Sequence, residues 1–272
     1  MDGLRLHLAE AGEGPPVILQ HGWPQHWYAW REQIAALAED HRVICPDLRG
    51  LGWSEAPAGD DYLKESMVDD LIGLCEALGL DRVSFVGHDW GGWIGFLFAL
   101  RRPDLIDRMA IMSTPHVWSV PDRPDLSALG RTWYQGVIAA PGLDPIKGAF
   151  FAKLLETARH RGEYTAEEKR IYLDRVSGGT GLRASTLLYR SLLVHELKPL
   201  MEGRYRDQRL EIPTLYLMGE RDIFYDREMM DELQNHGDDV TIASVADAGH
   251  FLPEEAPEEV NGLLKEFLSR RM

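Results

Sequence analysis

The sequence predicts an α/β protein with a mostly parallel central sheet, helices on both of its faces and an inserted segment of helices. Short apolar runs bounded by turn residues alternate with amphipathic stretches, which is the pattern of a parallel sheet covered on both sides. The alternation stops once, from about residue 117 to residue 209, where turns such as PGLDP and SGGTG separate helical stretches. We therefore expect a core formed by residues 1–116 and 210–272 and a helical lid, or cap, formed by residues 117–209.

The individual elements follow from hydrophobic periodicity. Short apolar runs predict buried strands at Val17–His21, Val43–Asp47, Val83–His88, Met109–Ser113, Thr214–Gly219 and Val240–Val245. Apolar residues at helical spacing predict helices at Trp27–Glu39, Tyr62–Leu78, Trp90–Arg101, Arg227–His236 and Pro257–Arg270. In the lid, the charged run Arg159–Arg170 predicts an exposed helical face.

Composition and charge exclude several classes of partner. With 29 basic and 44 acidic residues the net charge is -15, which argues against binding to nucleic acid or to an anionic membrane. The first residues lack the basic and then apolar pattern of a signal peptide, and the longest apolar runs are too short to span a membrane. We expect a cytoplasmic protein in which Cys45 and Cys75 are buried thiols, and whose oligomeric state, monomer or homodimer, stays open.

The stretch VGHDWGG, residues 86–92, has the form of a sharp turn between a strand and a helix. It places Asp89 at the start of a helix, where backbone N–H groups and the helix dipole favour an anion. The position corresponds to the serine of a GxSxG nucleophile elbow. The alternative is a plain tight turn in which Asp89 only caps the helix.

Two further residues complete a possible catalytic triad. In folds that carry such a nucleophile elbow, the acid and the base follow the nucleophile along the chain, each after a strand. Asp222 follows the strand in LYLMGERD, and His250 follows the last strand, in ASVADAGHF. Three nearby carboxylates compete with Asp222 and are expected to be surface residues: Glu220, Asp226 and Asp247.

The loop HGWP, residues 21–24, follows the first long apolar strand on the other side of the expected cleft. Beside a nucleophile elbow, a loop of this kind supplies one donor of an oxyanion hole, and the residue after the nucleophile supplies the other. We therefore expect the backbone N–H groups of Trp23 and Trp90 to converge on one oxygen. His21, Gly22 and Pro24 are expected to contact the substrate. The peptide bond before Pro24 is a candidate for the cis form.

The segments HGWP, PDLRGLGWSEAP, GHDWGG, GERD and AGHFLPEEAPEEV together resemble the α/β-hydrolase superfamily, and the match extends over nearly the whole chain. The aspartate in the elbow narrows the resemblance to the branch of epoxide hydrolases, haloalkane dehalogenases and fluoroacetate dehalogenases. The resemblance implies that Asp89 attacks a saturated carbon to form an alkyl ester. It also implies that His250, oriented by Asp222, activates the water that hydrolyses this ester.

The residue after the nucleophile helps to separate the three activities. Fluoroacetate dehalogenases carry an arginine there, whereas this chain has Trp90, which argues against that activity. Haloalkane dehalogenases hold the halide with indole N–H groups, and Trp90 with Trp118 or Trp133 is similar to that scheme. Position 23 is Trp where those enzymes have Asn, so the dehalogenase stays an alternative.

Two lid segments favour the epoxide hydrolase. Such enzymes hold the epoxide oxygen with two lid tyrosines, and TWYQGVIAAPGLDP and STLLYRSLL are similar to the family's two tyrosine segments. The resemblance therefore implies that Tyr134 and Tyr189 hold the epoxide oxygen and that Trp133 lies beside the substrate. The other lid tyrosines, Tyr164, Tyr172 and Tyr205, are expected to pack in the core with hydroxyls that reach solvent.

The resemblance implies a small apolar epoxide and water as reactants, without a cofactor. The histidines form no HExxH motif or cluster at ligand spacing, and no GxGxxG follows a strand, so neither a metal nor a dinucleotide is predicted. A serine esterase on this fold would need serine at position 89. A protein that only binds its ligand would be expected to lack part of the triad, whereas all three positions are filled.

Overall fold

A computed structural model describes residues 3–119, 126–225 and 227–270 of the chain. Within these ranges the centre of the molecule is a seven-stranded sheet with the order β1-β3-β2-β4-β5-β6-β7. Its strands are β1 (Leu8–Ala11), β2 (Pro16–Gln20), β3 (Arg42–Pro46), β4 (Val83–His88), β5 (Ile106–Met112), β6 (Thr214–Gly219) and β7 (Val240–Val245). Only β1 is antiparallel to its neighbour, so the predicted mostly parallel sheet is confirmed.

Alternating residues of the strands build two separate cores. Ile18 and Phe85 belong to the cluster on one face of the sheet, whereas Val17 and Val86 belong to the cluster on the other. Successive side chains of a strand point to opposite faces, and here both faces are covered, so nearly every position of these strands is apolar. Apolar runs predicted the other six strands, β2 to β7. Strand β1 has only four residues, LAEA, which include the exposed Glu10, so it forms no apolar run and was not predicted.

The helices of the core cover both faces of the sheet. Those before the insertion are α1 (Arg31–Leu37), α2 (Lys64–Leu78) and α3 (Trp90–Arg101), and a 3-10 turn at Trp27–Trp30 precedes α1. Helices α2 and α3 pack together on one face, while α1 packs on the other face against α11, the last helix. Helix α3 is buried at nearly every position and lies against β4 and β5, so the turn that precedes it is fixed in the middle of the sheet.

A helical insertion separates β5 from β6. It contains α4 (Leu126–Ala139), α5 (Asp144–Ala158), α6 (Ala166–Val176) and α7 (Gly179–Ser191), then a π-helical turn at Leu192–Glu196 and α8 (Leu197–Met201). We call residues 126–209 the inserted segment. After it come α9 (Arg227–Asp231), α10 (Leu252–Glu255) and α11 (Pro257–Ser269). Along the described ranges, no helix has the length and apolar character needed to cross a membrane.

Candidate active site

Asp89 lies in the sharp turn between β4 and α3 that the sequence predicts. Its backbone has φ 51° and ψ -123°, a positive-φ conformation that is strained for a residue other than glycine. The neighbouring glycines make the turn possible, because a Cβ on Gly87 would lie 2.6 Å from the carbonyl oxygen of Gly91, and one on Gly91 would lie 2.1 Å from that of Gln20. The Asp89 side chain makes no capping hydrogen bond to α3, so the alternative of a plain capping aspartate is wrong.

The Asp89 carboxylate is oriented by the HGWP loop and by an imidazole. The backbone N–H of Trp23 donates a hydrogen bond of 2.8 Å to Asp89 Oδ1, and His250 Nε2 lies 3.6 Å from Oδ2. A Cβ on Gly22 would lie 2.3 Å from Oδ1, so the loop fits against the carboxylate only with glycine at this position. The N–H of Trp90 is in the first turn of α3 and has no acceptor four residues earlier within the helix.

His250 lies between Asp89 and Asp222. Its Nδ1–H donates to Asp222 Oδ2 at 3.1 Å, and the other oxygen of Asp222 accepts the backbone N–H of Phe224 at 2.9 Å. Asp222 follows β6 and His250 follows β7, and the carboxyl ends of parallel strands meet at one edge of a sheet. The fold therefore brings together the three residues that the sequence pattern singles out.

The carboxylates that competed with Asp222 do not take its place. Glu220 is exposed. The side chain of Asp247 is 71% exposed and lies 3.0 Å from His160 Nε2 rather than from His250. Asp226 lies outside the described residues. Apart from Asp89, Asp222 is therefore the carboxylate paired with His250 in the part of the chain that the structure describes.

Two carboxylates control the protonation of His250. Burial lowers the pKa of this imidazole, but the charges and hydrogen bonds of Asp222 and Asp89 outweigh burial and raise the pKa to about 10. The resting site at neutral pH therefore contains an imidazolium between two carboxylates. Any reaction that removes the charge of Asp89 therefore lowers the pKa of His250.

The cleft beside Asp89 has two compartments. The larger, of about 360 Å³, is lined partly by polar side chains, including those of Thr114, Gln135 and Tyr225. The smaller, of about 250 Å³, contains His250 and is lined mainly by apolar side chains, including those of Leu154, Leu155 and Phe251. Asp89, Tyr134 and Tyr189 border both compartments, so the carboxylate and two phenols meet at their boundary.

Tyr134 on α4 and Tyr189 on α7 reach this boundary from the inserted segment. Both side chains are buried, and their ring centroids lie 6.1 Å apart. Burial raises the pKa of Tyr134, and the charge of Asp89 raises it further. Burial, then Tyr134 and Asp89, raise the pKa of Tyr189. Both phenols therefore stay neutral at physiological pH and keep a proton that they can donate.

Residues 15–257 match a protein family described as the alpha/beta hydrolase fold. The chain belongs to this family. It is 32% identical to the soluble epoxide hydrolase of Corynebacterium sp. (strain C12), over 96% of this chain and 92% of that protein. It is 30% identical to epoxide hydrolase 3 of Xenopus tropicalis, over 98% of this chain and 75% of that protein.

A solved structure gives the same result for the fold. The structure of epoxide hydrolase CorEH without ligand superposes on this chain with a TM-score of 0.86 at 30% identity, and covers 98% of this chain and 96% of that one. Together with the sequence matches, this places the α/β hydrolase in the epoxide hydrolase branch of the family. The predicted fold class and family are therefore confirmed.

Two residues predicted to contact the substrate lie elsewhere in this α/β hydrolase. Trp133 is 60% exposed and its ring packs against that of Phe150. Consecutive residues of a helix point about 100° apart, so the neighbour of an inward-facing Tyr134 turns outward. His21 is fully buried and holds the loop instead, because its Nδ1 lies 2.8 Å from Gly22 O while its Nε2 accepts the Leu48 N–H at 2.9 Å.

The other two predicted contacts of the HGWP loop do lie at the cleft. Gly22 packs against the carboxylate of Asp89, and Pro24 lines the smaller compartment. The Trp23–Pro24 peptide bond is cis, as the sequence suggested. The loop therefore contributes its backbone and its proline ring to the cleft, while its histidine stays in the core.

Three further tyrosines differ from expectation in how their hydroxyls are satisfied. Tyr164 and Tyr172 each donate a hydrogen bond of 2.7 Å to the buried carboxylate of Glu254, and Tyr205 donates one of 2.7 Å to Glu65. Each hydroxyl therefore has a protein partner, as is usual for buried polar groups. The prediction that the three tyrosines pack in the core is right, and the prediction that their hydroxyls reach solvent is wrong for Tyr164 and Tyr172, whose hydrogen bonds are buried.

Tyr225 is a polar group of the cleft that sequence reasoning missed. It lines the larger compartment and interacts with Tyr134 through a side-chain hydrogen bond that moderates the raised pKa of Tyr134. Its position three residues after Asp222, in the loop that leaves β6, could have given the signal. Tyr225 comes from the core, whereas both predicted phenols come from the lid.

Lys64 is a buried cation next to Trp90 that the sequence did not predict. Its buried Nζ donates to Leu188 O at 2.6 Å, Ser191 Oγ at 2.7 Å and Glu196 Oε2 at 2.8 Å, and it lies 4.6 Å from the centroid of the Trp90 ring. Burial lowers its pKa to about 8, against the opposing effect of Glu196. These contacts tie the end of the helix that carries Tyr189 to the start of α2.

Proposed function

We propose that this α/β hydrolase converts an epoxide to a vicinal diol through a covalent ester on Asp89. The observation that carries the proposal is the meeting of one oriented carboxylate with two neutral phenols at the boundary of the two compartments. Opening an epoxide at carbon needs a nucleophile for that carbon and a proton donor for the departing oxygen. The similarity to proteins named epoxide hydrolases supports the same reaction.

The first step is alkylation of the carboxylate. An oxygen of Asp89 attacks one ring carbon, the bond between that carbon and the epoxide oxygen breaks, and its electron pair goes to the oxygen. Tyr134 and Tyr189 hydrogen-bond this oxygen and supply its proton. After the ester has formed, the imidazolium of His250 returns a proton to the phenols, which leaves a neutral imidazole beside the ester.

The second step is hydrolysis of the ester. The neutral imidazole of His250, oriented by Asp222, takes a proton from a water molecule that attacks the ester carbonyl carbon. The N–H groups of Trp23 and Trp90 stabilise the resulting oxyanion. Collapse of the tetrahedral intermediate breaks the bond to the alkoxide oxygen, which takes the proton of the hydroxyl added by water, so that the diol leaves and the carboxylate returns beside the imidazolium. The cycle consumes one epoxide and one water with no net change in protons.

The contributions of the two parts of the chain support a division of roles. We propose that residues 117–209 act as a cap over a core of residues 1–116 and 210–272, because the two phenols come from the inserted segment and the triad comes from the core. The raised pKa of His250 also suits an epoxide better than a halide. An epoxide oxygen needs a proton in the first step, whereas a departing halide does not.

The second candidate is a haloalkane dehalogenase, and one observation favours it. The indole Nε1 of Trp90 is buried and makes no well-aligned hydrogen bond among the described residues, although its contact with the Tyr189 hydroxyl opposes the rise in the pKa of that phenol. A second indole is missing, however, since Trp23 Nε1 donates to Ser185 Oγ at 2.8 Å and Trp118 Nε1 donates to backbone carbonyls. Trp133 is on the outer surface. A halide would therefore meet one free indole rather than two.

Product analysis separates the two candidates. The wild-type enzyme is incubated with styrene oxide and, separately, with a bromoalkane, and both diol and halide are measured. We expect diol from the epoxide and no enzyme-dependent halide. Halide release without diol would replace the proposed reaction by the dehalogenase reaction.

Isotope labelling tests the ester route. In a single turnover in ¹⁸O-water, the proposed route leaves the diol unlabelled and transfers the label to the Asp89 carboxylate, because water attacks the carbonyl carbon. The Asp89 peptide and the diol are examined by mass spectrometry. Label in the diol from the first turnover would show direct attack of water on the epoxide.

A further inference from the structure

The loop that carries His250 is fixed through its backbone. The N–H groups of Gly249 and Phe251, on either side of the histidine, donate to the carboxylate of Glu255 at 2.8 Å and 2.9 Å. The carbonyl oxygen of His250 lies 2.8 Å from His88 Nε2, and burial lowers the pKa of His88 to about 4, so this ring is neutral and donates one N–H. The peptide groups around the catalytic base are therefore held in place.

The same carboxylate also binds the inserted segment. Glu255 Oε2 accepts the backbone N–H groups of His160 at 2.9 Å and Arg161 at 2.7 Å, just after the end of α5. Glu255 is only 4% exposed, so these charge-assisted hydrogen bonds are formed away from bulk water. One buried carboxylate thus accepts four backbone N–H groups, two beside His250 and two in the inserted segment.

The two segments also touch directly. The N–H of His250 donates to Ala158 O at 3.1 Å. A Cβ on Gly249 would lie 2.8 Å from His160 N, 2.9 Å from Ala158 O and 2.9 Å from Glu255 Oε1. Because no space separates the segments here, a displacement of the inserted segment moves the backbone of His250 as well.

We propose that Glu255 is a positioning residue that couples the seating of the inserted segment to the alignment of His250 for ester hydrolysis. The proposal rests on the proposed function, in which His250 is the base of the second step. Glu255 does not line either compartment of the cleft, so it acts through the histidine and not on the substrate. Alkylation depends on Asp89 and the phenols, so the hydrolysis step is the one that should suffer when Glu255 is changed.

The neighbouring residue Glu254 offers a matched control. It is 6% exposed and also contacts the inserted segment, but through the hydroxyls of Tyr164 and Tyr172, each at 2.7 Å. Its remaining partners are the side chains of Gln25 and Arg31. Its carboxylate makes no hydrogen bond to residues 249–251 within the described structure. Glu254 therefore anchors the inserted segment as Glu255 does, without holding the backbone of His250.

The experiment compares Glu255→Gln with Glu254→Gln in the full-length enzyme, with an epoxide that the wild type hydrolyses. Rapid quenching and mass spectrometry of the Asp89 peptide give the alkylation rate in a single turnover and the fraction of ester at steady state. A misplacement of about 1 Å costs on the order of 10²-fold in rate, so we expect kcat of Glu255→Gln to fall about 10- to 100-fold. The ester fraction should rise, and the alkylation rate should stay close to that of the wild type.

The control variant should behave differently. Glu254→Gln should melt at a lower temperature but keep the wild-type ester fraction, since none of the hydrogen bonds of this carboxylate goes to the backbone beside His250. A Glu255→Gln enzyme with the wild-type ester fraction, or with both half-reactions slowed equally, would overturn the proposal. If Glu255→Gln does not fold, Gly249→Ala tests the same contact and should also accumulate ester, and a wild-type ester fraction there would count against the coupling. A wild-type enzyme that never forms the Asp89 ester would overturn the proposed function itself.

Discussion

The two walls of the cleft hold their functional groups in different ways. On the core wall, hydrogen bonds from the backbone and the imidazole orient the carboxylates of Asp89 and Asp222. On the wall formed by the inserted segment, ring packing places the phenols, with a hydrogen bond to Tyr225 as a further contact of Tyr134. Tyr189 lies edge-on to Trp90 at 5.3 Å between centroids, and Tyr134 lies 4.9 Å from Phe224.

The difference has a consequence for catalysis. A hydrogen bond fixes the direction of an atom. On the core wall, Asp89 and His250 each form or break a covalent bond in the proposed reaction, and Asp222 orients the histidine. Ring packing fixes the position of a side chain, and the two phenols share one task, so one can partly replace the other. We expect changes on the core wall to stop a step and changes on the other wall to slow one.

The largest effect is expected at Asp89. Asp89→Ala removes the nucleophile, and loss of a catalytic nucleophile typically lowers turnover by orders of magnitude, on the order of 10⁶-fold in a protease. We expect no diol above background and no covalent adduct by mass spectrometry after incubation with epoxide. Turnover close to that of the wild type would remove Asp89 from the mechanism.

His250→Gln should stop the second step and leave the first one working. A general base contributes typically about 10²- to 10⁴-fold, so we expect steady-state turnover to fall by that amount while the Asp89 ester accumulates. Rapid-quench mass spectrometry of the Asp89 peptide measures the adduct. Slow turnover without accumulated ester would mean that His250 acts in alkylation and not in hydrolysis.

The phenols should give graded effects. Hydrogen bonds to charged groups contribute roughly 1.5–3 kcal/mol, so Tyr134→Phe or Tyr189→Phe should each slow alkylation about 10- to 100-fold, and the double variant more. Single-turnover ester formation gives the rate. Tyr205→Phe is the control, because this hydroxyl bonds to Glu65 outside the cleft and its loss should leave the rate unchanged.

The charge of His250 should also affect stability. Its pKa is raised from 6.5 to about 10 on folding, so the stabilisation is fully present below pH 6.5 and is lost as the pH rises toward 10. We expect the melting temperature of the wild type to fall across this window. In His250→Gln the corresponding fall should be smaller, and equal slopes in the two proteins would contradict the assignment.

The smallest effect concerns the strained turn on the core wall. Asp89→Ala and Asp89→Gly both lose the carboxylate, but only glycine adopts φ 51° without strain. Chemical denaturation should therefore show the glycine variant to be more stable than the alanine variant by about 1–2 kcal/mol. Equal stabilities would show that the turn relaxes once the carboxylate is removed.

Local patterns in the sequence determined most of the core. The bounds of β4, β6 and β7 agree with the prediction, because short apolar runs bounded by turn residues indicate strands. Strand β5 starts three residues earlier than predicted, at Ile106, since its first residues include Asp107 and Arg108, which break the apolar run. The order of Asp89, Asp222 and His250 along the chain was enough to predict their meeting, because parallel strands end at one edge.

Only the tertiary structure decided how the two walls meet. Helical spacing does not tell which residue of a Trp–Tyr pair faces inward, so Trp133 was placed at the cleft although it is on the surface. Tyr225 lies close to Asp222 in sequence, but this spacing does not tell which way its ring points, and Glu255 carries no local pattern that distinguishes it from other helix residues. Their partners lie in the inserted segment, and contacts between segments so far apart in sequence are set by the packing of the whole chain.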